Sequence, residues 1–247
     1  MAMRRNTSTR APEGALFYFS QDNPLGKVPF DPSTMRIETI ADREVVHPDR
    51  LNVDWIRSRF SNPPAWQPED RLEKRLPTAF DPPMPASVLV PIVARAEGPA
   101  MLLTKRTDHL HHHPSQVSFP GGRVEESDTS PIETALRETM EEVGLHRGHI
   151  DIIGRLPEYV TGTGYRVTPI VSIVTPPFEL EPDSFEVAEV LEVPLSHLMN
   201  AMNHRLLTAE FPNGIGWRSF YAIPYEKYFI WGATAGMLRN LFHFLRA

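Results

Sequence analysis

Three glutamates concentrate the chemistry of this chain. Glu138, Glu141 and Glu142 are separated by three and four positions, so on a helix their carboxylates share one sector of surface. Like charges at i,i+4 destabilise a helix by about 0.2–0.5 kcal/mol per pair, which calls for an offsetting cation or for full solvation. Arg137 supplies one internal counter-charge. Carboxylate oxygens are hard ligands, and a group of them on one helix suits Mg2+ or Mn2+ held beside a phosphate-containing substrate. The competing reading is a solvated acidic face, the usual fate of a charge run. A Pro120-Gly121-Gly122 turn just upstream favours the metal reading.

The element that must hold these acids is written plainly around them. Ser130, Pro131 and Glu133 form a helix start: a hydroxyl N-cap, a proline at the first helical position and a glutamate that reaches back. Gly144 supplies the stop. Between them Ile132, Ala135, Leu136, Met140 and Val143 recur at three- and four-residue steps and mark the face turned to a core. Before this helix, residues 87–95 and 100–104 read as strands joined by a Glu97-Gly98-Pro99 turn, and residues 116–119 as a short strand. After it come strands at 150–156, 170–174 and 186–193, a loop over 157–169, and a helix from Pro194 through Met202. A hairpin around Asn213-Gly214 and a closing helix from Tyr228 to Leu245 complete the chain. Strands interleaved with helices, with hairpins as well as crossovers, predict an α/β or α+β sandwich with a mixed sheet.

Proline clusters at 62–64 and 81–85 punctuate the chain and place a boundary near 83. This divides it into an N-terminal extension, 1–82, and a main domain, 83–247. Residues 1–45 predict loosely attached structure, residues 53–60 a short helix, and Arg71 to Arg75 a charged stretch without pattern. Among 247 residues, 41% are hydrophobic and 23% charged, an ordinary globular balance, and a net charge of -6 argues against broad nucleic-acid binding. The absence of cysteine excludes disulfides, thiolate metal sites and cysteine nucleophiles, and fits a cytoplasmic setting. No secretory signal is expected at the N-terminus. The most apolar stretch, 228–238, is too short to span a bilayer, so no membrane partner is expected.

Gly122, Arg137-Glu138, Glu141-Glu142 and Gly144-Leu145 resemble the Nudix box. The interval from Gly122 to Arg137 is one residue longer than the consensus, with Asp128 at the upstream acid position, an expansion characteristic of the coenzyme A pyrophosphatase branch. Leu102-Leu103-Thr104-Lys105-Arg106, Leu110, His113, Gln116-Val117 and Phe119-Pro120-Gly121-Gly122 are similar to that branch's additional signature. Thr107 stands where the signature has serine, and Ser115 where it has glycine. Residues 160–169, 186–195 and 228–238 also look like this branch, so the resemblance covers about 84–245.

The resemblance implies a Nudix-type α/β/α sandwich and a hydrolase that uses Mg2+ or Mn2+ and water on a small-molecule nucleoside diphosphate derivative. It implies metal ligands at Glu138 and Glu142, with Glu141 sharing and the Gly122 carbonyl completing the shell. The general base is Glu141 or Glu186. Arg106, His113, Gln116 and Tyr165 are the substrate-binding candidates, while Gly121, Asp128, Arg137 and Gly144 have structural roles, Arg137 holding the loop through Asp128 or a neighbouring acid. Of the histidines at 109 and 111–113, which tempt a transition-metal reading, only His113 matches the signature. The leading expectation is a coenzyme A diphosphatase, with a homodimer as a candidate assembly. The alternatives are a Nudix hydrolase of ADP-ribose or NADH, and a non-catalytic nucleotide-binding module.

Overall fold

The computed structural model describes residues 37–41, 43–69, 80–107, 116–211 and 216–247. Residues 1–36, the charged stretch at 71–75, the histidines at 109 and 111–113, and Asn213-Gly214 lie outside them. The central sheet is built on two long apolar strands, β2 (Met84–Val93) and β8 (Tyr165–Val174). They run parallel in an unbroken register from Met84 opposite Tyr165 to Val93 opposite Val174. Around them lie β3 (Ala100–Arg106), β4 (Val117–Ser118), β5 (Gly121–Arg123), β6 (Ile150–Arg155), β7 (Tyr159–Val160) and β9 (Val187–Pro194), all paired antiparallel. One parallel pair within antiparallel neighbours is the mixed sheet that the sequence predicts.

Side chains alternate across this sheet and bury both faces. Leu89 and Ile170 pack with Ala135, and Val93, Leu102 and Val174 with Val143, beneath α2 (Pro131–Val143). Val90, Ile92, Met101, Leu103, Val171 and Ile173 face the other way. There they meet Ile56 of α1 (Val53–Ser61) and Leu238, Leu241 and Phe242 of α4 (Ala233–Arg246). Three layers result, helix, sheet, helices, as an α/β/α sandwich requires.

A second, antiparallel sheet has the order β1 (Ile37–Ile40), β10 (Arg205–Phe211), β11 (Gly216–Tyr225), β12 (Tyr228–Trp231). Its presence corrects two expectations. The segment before residue 45 is not uniformly loose, because Ile37–Ile40 pairs with β10 and Val45 forms a bridge to Asn200. Tyr228–Trp231 is a strand rather than the first turn of the closing helix: Ile230 faces the main core while Phe229 and Trp231 pack on Leu207, Phe220 and Ala222. The helix begins only after Gly232. Tyr165–Pro169, read as loop, is drawn into β8 by pairing with β2. The helix after Pro194 is one short turn, α3 (Leu195–Leu198), followed by a separate 3-10 turn at Ala201–Asn203 where the Asn200 side chain accepts the Met202 N–H. No helix among the described residues is long and apolar enough to cross a membrane.

Candidate active site

The site forms where β2 and β3 part. The two strands pair only at Ile92–Met101 and Val93–Ala100. Beyond that point β4 pairs with β3 and β5 with β2, so Phe119 to Gly122 fills the fork beside α2. That helix is capped as its sequence demands. Ser130 is extended, its hydroxyl accepts the Glu133 N–H at 3.3 Å, Pro131 opens the first turn, and Gly144 closes the last in the left-handed region at φ 69°.

Gly122 is required by close approach. A β-carbon there would lie 2.0 Å from Oε1 of Glu138, so the backbone at the fork presses directly on this carboxylate. The next glycine back, Gly121, packs as tightly on β2 and donates its N–H to Oε2 of Glu142 at 3.4 Å. Gly122→Ala is expected to displace the Glu138 carboxylate and lower kcat by about 10²-fold, a cost typical of misplacing a catalytic group by an ångström. Steady-state kinetics beside a circular dichroism spectrum would check this; a fully active variant would contradict it.

Arg137 organises the outer side of the cluster. Its Nε and Nη2 donate to the two oxygens of Asp128, both at 3.0 Å, and Nη2 also donates to the Arg123 carbonyl at 3.1 Å. Nη1 donates to Glu138 at 3.0 Å and to Glu141 at 2.9 Å. Asp128 further accepts the Glu125 N–H and the Thr134 hydroxyl, each at 2.9 Å. The Arg137 hydrogen bond is the main cause that holds the Asp128 pKa down at about 2. Asp128 and Arg137 thus fasten the loop between β5 and α2 to the helix.

Glu138 and Glu142 are only 4% and 6% exposed, and burial is the first reason their proton affinities rise. Glu138 is pushed up to about 7, with Arg137 opposing the shift and the charges of Glu141 and Glu186 adding to it. Glu142 is raised well above the ordinary value by burial and by Glu138, while Arg106 pulls the other way. Glu141 lies at the rim with its side chain 58% exposed.

Glu186, distant in sequence, is brought to this group. Its charge acts on both Glu138 and Glu142, and burial, together with Asp183 and Glu141, raises its own pKa against the pull of Arg106. The turn that carries it is seated on the end of α2: the Glu181 and Asp183 N–H groups donate to the carbonyls of Val143 and Glu142 at 2.9 and 3.0 Å. Gly144 permits that seat, since a β-carbon on it would meet the Glu181 nitrogen at 2.8 Å.

The substrate-binding candidates divide. Arg106 is 8% exposed and acts on Glu142 and Glu186. Gln116 is 5% exposed, and its backbone carbonyl accepts the Arg106 N–H at 3.0 Å. Its side-chain Oε1 is buried with no hydrogen-bond partner among the described residues, an acceptor left for a ligand or a water. Tyr165 lies on the opposite face of the sheet, within the main core and fully buried, and its hydroxyl accepts from Arg123 at 2.6 and 3.1 Å. His113 lies outside the described residues. Thr107, noted in the sequence only as a stand-in for serine, is buried and donates its hydroxyl to the Phe185 carbonyl at 2.8 Å.

The sequence profile of the NUDIX domain matches residues 83–211, more than half of the chain. This chain belongs to the Nudix hydrolase family, enzymes that bind nucleotides as small-molecule substrates and cleave nucleoside diphosphate derivatives. It is 42% identical over 156 residues to "Uncharacterized Nudix hydrolase NudL" of Escherichia coli O7:K1, a match that covers 63% of this chain and 80% of the relative. A protein of the same name from Enterobacter sp. is 43% identical over 158 residues, with the same coverage. Among solved structures, a C. elegans Ap4A hydrolase binary complex aligns over 47% of this chain and 85% of its own, at 19% identity and a TM-score of 0.41.

Nudix hydrolases use divalent metal ions, and the donor set here fits one. Glu138 and Glu142 are buried carboxylates whose charged forms lack full compensation from Arg137 and Arg106, the kind of oxygen donor a divalent cation takes. Among the described residues no three histidine or acidic side chains come together as a group that could by themselves hold a metal ion.

Proposed function

We propose that this Nudix hydrolase splits the pyrophosphate bond of coenzyme A, or of its acyl and oxidised derivatives, into adenosine 3′,5′-bisphosphate and the corresponding 4′-phosphopantetheine. The stretch 102–122 carries the reading. It resembles the coenzyme A branch signature, and among its described residues Arg106, Gly121 and Gly122 border the acidic cluster, with the Gln116 carbonyl accepting the Arg106 N–H.

In this reading Glu138 and Glu142 would hold Mg2+ or Mn2+, with Glu141 and the Gly122 carbonyl assisting. An ion held there would neutralise pyrophosphate charge and make water at the site more acidic. Glu186 accepts the proton of the attacking water, whose oxygen joins one phosphorus as the bond from that phosphorus to the bridging oxygen breaks. Its carboxylate is partly buried, and that burial raises its proton affinity, the direction in which a carboxylate base is tuned. Glu141, the other candidate base, is exposed and tied to Arg137. Arg106, His113 and Gln116 contact the substrate, and Tyr165 acts from within the core by holding Arg123, whose carbonyl accepts from Arg137.

Incubation with coenzyme A and Mg2+ or Mn2+, with the products resolved by chromatography, tests the substrate. Adenosine 3′,5′-bisphosphate is the expected product. No turnover of coenzyme A alongside good turnover of ADP-ribose or NADH would overturn the assignment.

A further inference from the structure

The place of Glu186 is not set by the sheet. The β3–β9 ladder loses its register between Lys105 and Arg106: Lys105 stands opposite Glu189, but Arg106 stands opposite Val187, so one residue of β9 is bulged out just before the site. A bulge re-aims the side chains beyond it and ends regular pairing. Past the bulge Arg106–Val187 is the last pair of the ladder, and beyond it the contact passes to Thr107. Its N–H donates to the Glu186 carbonyl at 3.0 Å, and its hydroxyl donates to the Phe185 carbonyl at 2.8 Å. Thr107 is only 7% exposed, so neither bond competes with bulk water.

The other side of the turn is held by α2. Asp183 donates its N–H to the Glu142 carbonyl, accepts the N–H groups of Glu186 and Val187 on its own carbonyl, and takes the Phe185 N–H on its carboxylate at 2.9 Å. The turn is therefore strung between the helix that carries Glu138 and Glu142 and the strand end that carries Arg106. Two attachments fix a short turn; one leaves it free to pivot. The α2 attachment is made by backbone groups alone, and Thr107 makes the opposite attachment with both backbone and side chain.

We infer that Thr107 is a positioning residue for Glu186: its hydroxyl clamps the Phe185–Glu186 backbone to the end of β3 and so aims the Glu186 carboxylate at the carboxylates of α2. This rests on the catalytic reading of Glu186. Removing the hydroxyl takes that donor from the Phe185 carbonyl and reduces the Thr107 attachment to its backbone bond with Glu186. A hydroxyl is what matters, so serine suffices.

A double-mutant cycle tests the inference, run with Mg2+ on whichever of coenzyme A, ADP-ribose and NADH is turned over fastest, and with circular dichroism to verify folding. Glu186→Gln is expected to lower kcat by about 10²- to 10³-fold, in the range for loss of a general base. Thr107→Val is expected to lower kcat about tenfold with KM changed less than about twofold, and Thr107→Ser to keep at least about half of wild-type kcat. In the Glu186→Gln background, Thr107→Val should cause no further loss, because its effect passes through the missing carboxylate. A tenfold loss that persists in that background would mark Thr107 as merely structural and overturn the inference, as would inactive Thr107→Ser or fully active Thr107→Val. Near-wild-type Glu186→Gln would overturn the catalytic reading itself and this inference with it. If Thr107→Val does not fold, Thr107→Ala takes its place in the cycle.

Discussion

Glu142→Gln is expected to lower kcat by about 10³-fold or more while raising the thermal midpoint of the metal-free protein. Loss of a residue from a catalytic group that acts as a unit commonly costs this much. The opposite sign for stability follows from the surroundings. Glu142 is buried, stands beside Glu138 and Glu186, and among the described residues receives the Arg106 charge and a 3.4 Å contact from the Gly121 N–H in return. Its folded pKa lies well above the reference 4.5, so the wild-type fold loses stability as pH rises from the unfolded value through the folded one. Glutamine keeps the shape and an acceptor for Gly121, carries no charge, and escapes that loss. The gain in midpoint should therefore grow with pH above about 4.5. Mn2+ gives the complementary readout: it should raise the wild-type midpoint by mass action and that of Glu142→Gln much less. Calorimetric scans of both proteins, with and without Mn2+, check these points together. An active Glu142→Gln, or one less stable than wild type without metal, would remove the metal-ligand assignment.

The same residues show which parts of such a molecule can be read in advance. The α2 helix was legible to its ends because its signals are local: Ser130, Pro131 and Gly144 act on backbone groups within one turn of themselves. The partnership of Arg137 with Asp128 was legible through the resemblance, and the structure has it as a paired fork. The continuous apolar run of β2 and the short turn into β3 likewise announced a buried antiparallel pair. What the sequence did not contain was the parting of that pair. The fork depends on β4 and β5 finding different partners, and nothing near Phe119 encodes which strand each will choose.

Long-range pairing accounts for the misreadings as well. Tyr165 belongs to β8 because Met84 pairs with it, despite the glycines that precede it. Tyr228–Trp231 is apolar at every position, and such a run satisfies helical and strand periods equally; its contact with β11 decides. Glu186 was a candidate only through the family pattern. Its approach to Glu142 is made by a turn seated on α2 and by Thr107, groups far from it in sequence.

Glu69 was not singled out in the sequence, yet Glu69→Gln carries the largest expected loss of stability. Arg239 on α4 is 3% exposed, and its Nε and Nη2 donate to the two Glu69 oxygens at 2.6 and 2.8 Å. Tyr221 donates its hydroxyl to the same carboxylate, His243 Nε2 lies 3.2 Å from it, and the Glu69 N–H donates to Asn240 Oδ1 at 3.1 Å. Arg239 also reaches His204, whose other ring nitrogen donates to the Leu198 carbonyl at 2.7 Å. One carboxylate therefore ties the segment after α1 to α4 and β11. Glutamine would leave a buried guanidinium without its counter-charge, at a cost of about 3–5 kcal/mol, or a midpoint lower by about 10 °C in a chain of this length. The pH dependence has a definite sign. Burial alone would raise the Glu69 pKa, but the bonds from His243, Arg239 and Tyr221 prevail and lower it from 4.5 to about 2. A carboxylate depressed in the fold contributes fully above its unfolded pKa and loses that contribution as pH falls toward the folded one. The difference in unfolding free energy between wild type and Glu69→Gln should accordingly hold steady above pH 4.5 and shrink from there to about pH 2. His204, lowered from 6.5 to about 4 chiefly by burial, adds a loss of stability in both proteins as pH falls across that interval. Urea titrations of the two proteins at pH 7, 5, 4 and 3 measure the gap directly, and a gap that does not narrow below pH 4.5 would show that Glu69 does not hold Arg239 through its charge.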